Sequence, residues 1–78
     1  MTTREKLTKE LKRILPEIIA EDKKKAVKKF NLSDATISVY LNNAEEVKNL
    51  DRLYDLIDFF NNQIIKRHKK IDNLISKN

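Results

Sequence analysis

Apolar positions recur along this chain at helical spacing, in four groups separated by polar breaks. Leu7, Leu11, Ile14, Leu15 and Ile18 follow steps of three and four residues, one face of a helix. Thr2 and Glu5 have the spacing of a capping box, which predicts a start near Thr3. Pro16 interrupts the pattern: it removes a donor and disfavours a helical Leu15, so a kink or a short break is expected there. Asp22 reads as the N-cap of a second, short helix. Ala26, Val27 and Phe30 form its inner face, and Lys24, Lys25, Lys28 and Lys29 lie outside it. The chain has no glycine, so Asn31 is the residue best able to end this helix at positive φ. Ser33 can then cap a third helix, with Asp34 in its first turn and Ile37, Tyr40 and Leu41 facing inward. Asn42 and Asn43 end it.

From about Val47 the pattern is continuous. Leu50, Leu53, Ile57, Phe60, Ile64, Ile71 and Leu74 alternate three- and four-residue steps, with Arg67 in the remaining place. Asn61 and Asn62 leave two alternatives open: a break into two helices, or a polar patch on one long helix. No segment reads as a strand, a repeat or a low-complexity linker. The fold class is all-α.

Size changes the picture. A chain of 78 residues buries about 60% of its unfolded surface, a marginal core that small proteins usually reinforce. Cysteine is absent and His68 is the one histidine, which removes disulfides and a zinc site. Oligomerisation is the remaining means. The apolar runs fall far short of the roughly 20 residues of a membrane span, and no secretory signal opens the chain, so a cytoplasmic protein is expected. No cofactor, metal or small-molecule substrate is expected. Catalysis finds no support: there is no cysteine nucleophile, glycine phosphate loop or second histidine, and Asp51, Asp55 and Asp58 read as exposed positions.

The net charge of +5 is unevenly spread. Residues 1–30 hold ten basic and five acidic side chains, residues 31–60 two and six, and residues 61–78 five and one. Basic flanks around an acidic middle suit a polyanion partner.

The stretch FNLSDATISVYLNN, residues 30–43, resembles the helix-turn-helix of the lambda-repressor-like and lac-repressor-headpiece families. Ala26-Val27 matches their small or apolar pair. Phe30, Asn31 and Leu32 match the apolar–turn–apolar step, and Ser33, Thr36-Ile37-Ser38 and Tyr40-Leu41-Asn42 complete the pattern. Three positions depart from it: Asn31 stands where glycine is usual, the larger Val27 where alanine is often found at the helix crossing, and Val39 where arginine is frequent. The resemblance implies a compact helix-turn-helix bundle of four to five helices with a long C-terminal helix. It also implies a small transcriptional regulator of repressor type that binds double-stranded DNA.

In such a corner the second helix enters the major groove and the first crosses the backbone. Asp34, Ala35, Thr36, Ser38, Val39 and Asn42 are then the base-reading candidates. Hydroxyls and asparagine can bond base edges, and Ala35 and Val39 can meet thymine methyls, which implies an A·T-leaning preference. Lys23, Lys24, Lys28, Lys29, Ser33 and Asn43 are the phosphate candidates, joined by the free amides at the N-terminus of the lysine-bearing helix. The organisation expected is a DNA-binding domain over residues 1–61 and a helical extension over residues 62–78. That extension would form a homodimer through Ile64, His68, Ile71, Leu74 and Ile75, with His68 packed in the apolar seam. Two rival readings are a helical interaction module, adaptor or antitoxin-like, using the stripe between residues 50 and 75, and a small RNA-binding protein. Few exposed aromatics count against single-strand stacking.

Overall fold

The computed structural model describes residues 2–76, so the last two positions of the expected 62–78 extension lie outside the described residues. The described residues form four α-helices and two 3-10 turns: α1 (Thr3–Ile14), α2 (Ala20–Phe30), α3 (Asp34–Asn42) and α4 (Leu50–Ser76), with 3-10 turns at Leu15–Glu17 and Ala44–Glu46. The Thr2 hydroxyl oxygen accepts from the Glu5 amide at 3.2 Å and starts α1. Pro16 produces a break rather than a kink. Leu15 keeps helical angles (φ −52°, ψ −44°), because Pro16 fits the second position of a 3-10 turn, and the chain becomes extended at Ile18 and Ile19.

Asp22 is not the N-cap of α2. The helix starts two residues earlier, at Ala20, and Asp22 sits in its third position, where its carboxylate accepts from the Ile19 amide at 3.1 Å. The reason is tertiary. Asp22 is 2% exposed, and Arg67 of α4 donates to both of its carboxylate oxygens at 3.1 Å. The same guanidinium donates to the Glu17 carbonyl at 2.6 Å. Arg67 is therefore no gap in an apolar seam; it is the partner of a buried charge.

The turn between α2 and α3 follows the local chemistry. Asn31 adopts φ 54°, ψ 46°, the left-handed conformation that asparagine tolerates and most residues resist by about 1–2 kcal/mol. The Val27 carbonyl then accepts from both the Asn31 and Leu32 amides. Ser33 caps α3, its oxygen accepting from the Thr36 amide at 3.1 Å.

The core joins all four helices: Leu11 and Ile14 from α1, Ala26 from α2, Ile37 and Leu41 from α3, and Leu53, Leu56, Ile57, Phe60 and Ile64 from α4. Phe60, Ile14, Ile37, Leu53 and Leu56 are under 2% exposed. Each contributes about 1.5–3 kcal/mol by leaving water. Ala44 and Val47 add to the core from the connection after α3. Arg4 holds that connection against α1 by donating to the Ala44 and Glu45 carbonyls at 3.2 and 2.8 Å.

α4 begins at Leu50, later than the Val47 expected, because Asn49 caps it by accepting from the Arg52 amide at 2.9 Å. It continues through Asn61 and Asn62 unbroken, which resolves the open alternative in favour of one helix. The Asn61 side chain faces Arg13 at 3.4 Å instead of breaking the helix. Packing does not stop at residue 61. Ile64 is buried, and Arg67 and His68 both reach the α1–α2 junction, so only the final turns of α4 project past the body.

Candidate nucleic-acid interface

α3 is amphipathic. Ile37 and Leu41 are buried and Tyr40 is half-buried against the core, which turns Ala35, Ser38, Val39 and Asn42 outward. All four are exposed, Val39 by 49%. Asp34 is exposed beside them in the first turn. Thr36 is placed differently: it is half-buried, and its hydroxyl lies 2.9 Å from that of Ser33. That contact engages the two hydroxyls with each other, so the side chains of this set that stand exposed are Asp34, Ala35, Ser38, Val39 and Asn42. Ser33 and Asn43 are exposed at the two ends of α3.

α2 carries its lysines on two flanks. Ala26 is fully buried, and at about 100° per residue Lys24 and Lys28 fall on the ridge opposite it, fully outward. Lys23 is also exposed. Lys29 is drawn sideways toward α4. Its ammonium sits 5.2 Å from the Phe59 ring centre and 5.9 Å from that of Phe30, two rings packed edge to face.

One expected feature is corrected. The N-terminus of α2 is less open to an anion than expected: Asp22 takes the Ile19 amide, and Glu21 places a second negative charge in the first turn. Both oppose a phosphate there. The groups on α2 open to an anion are therefore its lysine side chains.

The expected dimerisation residues separate into three sets. Ile64 is 5% exposed and belongs to the protein's own core. His68 is not packed in the seam; its side chain is 59% exposed and its Nε2 lies 2.9 Å from a Glu17 carboxylate oxygen. The seam could not hold it, because Arg67 and Asp22 occupy the edge of the body at that level. Ile71, Leu74 and Ile75 are 51%, 67% and 65% exposed.

The Asp22–Arg67 pair escaped the sequence reading, although a signal was present. A charged residue on an otherwise apolar stripe requires a counter-charge wherever that stripe is covered. Elsewhere the charges are solvated. Arg13 donates to Glu10 across one helical turn, which holds the Glu10 carboxyl below its ordinary range and raises Arg13, and both lie on the surface. Among the described residues no cluster of acidic or histidine side chains could hold a metal ion, and no helix is long and apolar enough to cross a membrane. No family model, curated protein or solved structure matches this chain.

Proposed function

We propose that this chain binds double-stranded DNA as a homodimeric transcriptional regulator, with α3 in the major groove and the lysines of α2 on the phosphate backbone. The observation that carries the reading is the exposed ridge of Ala35, Ser38, Val39 and Asn42 on a capped helix, fixed by a left-handed Asn31 beside a helix whose outer ridge is lysine. This is the arrangement a duplex reader needs: side chains with hydrogen-bonding and methyl groups for base edges, and cations beside them for phosphates. Arginine, lysine and glutamine are absent from the ridge, so guanine is disfavoured and A·T-rich sites are preferred. The test is binding to random duplex and to single strands over a range of salt. A steep salt dependence with duplex preference supports the reading; no duplex binding at low salt overturns it.

Within that reading Lys24→Ala and Lys28→Ala weaken binding equally on all duplex sequences. Each makes the log–log salt slope shallower by about 1, the loss of one phosphate contact. An unchanged slope in both variants removes α2 from the interface.

The exposed apolar end of α4 favours a protein partner in addition, and a second copy is the one that gives paired recognition helices about 34 Å apart. Light scattering at high micromolar concentration reads a dimer for the wild type. Ile71→Asp/Ile75→Asp reads as a folded monomer whose melting temperature does not depend on protein concentration, whereas that of the wild-type dimer rises with concentration. A wild type that stays monomeric while binding no DNA selects the interaction-module reading instead.

A further inference from the structure

We propose that the DNA backbone contact does not end on α2 but continues onto α4, through a second phosphate-binding surface made by Lys25, Lys66 and Lys70. The proposal rests on the duplex-binding reading above and adds a surface to it. The fold brings these residues together although Lys25 and Lys66 are far apart in sequence. Lys25, Lys66 and Lys70 line one concavity between α2 and α4, with Ile19, Glu21 and Arg67.

The charges there are of two kinds. Arg67 is spent on Asp22, and its position is fixed by that pair. Lys25 has one carboxylate near it, Glu21 at 3.7 Å, an exposed pair across one helical turn that contributes little. No described carboxylate comes within 4 Å of Lys66 or Lys70. Asp55 and Asp58 share a separate concavity with Lys29 and Lys66 and bound the basic surface on that side. With Glu21 beside Lys25 and Arg67 paired to Asp22, the lining still carries a net positive charge that a row of phosphates can meet. Lys66 and Lys70 are four residues apart, about 6 Å along the helix, so their two cations can follow a single DNA strand.

An anionic membrane is the rival occupant, since Ile19 lines this hollow and Ile71 and Leu74 line a second concavity with Lys70, and the vesicle titration below decides between the two. A single strand of RNA needs aromatic faces, and Lys29 covers the Phe59 and Phe30 rings next to this surface. Lys69 supplies a control, since it is exposed on the same helix but lines none of these concavities.

The experiment compares the salt dependence of binding to random-sequence duplex for the full chain, for Lys66→Gln/Lys70→Gln and for Lys69→Gln. The double variant is expected to make the log–log slope shallower by about 1.8, at about 0.9 per phosphate, with sequence preference and melting temperature unchanged. Lys69→Gln is expected to leave the slope unaltered. A wild type that binds duplex with a slope insensitive to the double variant overturns this surface and leaves the α3 reading standing. An equal effect of Lys69→Gln reduces it to diffuse charge. Wild-type protein without duplex binding overturns both. In parallel, vesicles of equal parts phosphatidylserine and phosphatidylcholine are titrated. Vesicle binding lost in the double variant, with duplex binding intact, assigns the lysines to a membrane and overturns the proposal.

Discussion

Replacing Arg67 with alanine is expected to destabilise the protein by about 3 kcal/mol, because it strands the Asp22 carboxylate in the core without its cation. Asp22 is 2% exposed and keeps one donor, the Ile19 amide. The Arg67 side chain is 30% exposed, so water can enter after truncation, which places the loss at the low end of the range for broken buried pairs. For a domain of this size that loss lowers the melting temperature by more than about 10 °C. Arg67→Lys restores only part of it, since an ammonium cannot bridge both Asp22 oxygens and the Glu17 carbonyl as the guanidinium does. The double variant Asp22→Ala/Arg67→Ala costs less than the two single losses added together, because neither charge is then abandoned. Hydrogen exchange locates the damage. The amides after Gln63 lose protection first, as Arg67 and His68 tie that part of α4 to the body. A loss below about 1 kcal/mol shows that the pair behaves as a surface salt bridge and that the C-terminal part of α4 is held by something else.

The second large effect separates the two faces of α3. Ile37→Ala removes a side chain that is 1% exposed at the centre of the core and is expected to cost about 2–5 kcal/mol. Ser38→Ala and Val39→Ala, one and two residues on, are expected to stay within about 0.5 kcal/mol of wild type, as surface substitutions do. On DNA the order reverses. Ser38→Ala and Val39→Ala change the preferred sequence in a binding selection, because each takes one contact from the groove. Ile37→Ala, studied well below its melting temperature, keeps the wild-type preference. Loss of sequence preference in Ile37→Ala alone, with Ser38→Ala and Val39→Ala silent, contradicts the assignment of the outward face.

What could be read from the sequence, and what could not, divides by the range of the interaction involved. Asn31 and Ser33 were legible because a left-handed helix end and a hydroxyl cap are settled within four residues of chain. The break near Pro16 was legible for the same reason, and its position was not, since a proline inside a 3-10 turn keeps Leu15 helical. Asp22 has the composition of an N-cap, and only its partner 45 residues away explains why it lies inside the helix instead. The stripe from Leu53 to Ile75 is uniform in sequence but not in space. It is core as far as Ile64, polar clamp at Arg67 and His68, and exposed from Ile71 onward. Periodicity marks the face of a helix; where the body beneath that face ends is set by α1 and α2. The lysines show the same division. Their outward positions on α2 follow from spacing, whereas the grouping of Lys25 with Lys66 and Lys70 exists only after α2 and α4 pack.

Amide chemical shifts recorded during titration of the full chain with A·T-rich duplex DNA decide whether α3 is the helix that meets the duplex. The largest changes are expected at Asp34, Ala35, Ser38, Val39 and Asn42, with smaller ones along Lys23, Lys24 and Lys28. Changes confined to residues 65–76, or no change at low salt with excess duplex, contradict that role for α3.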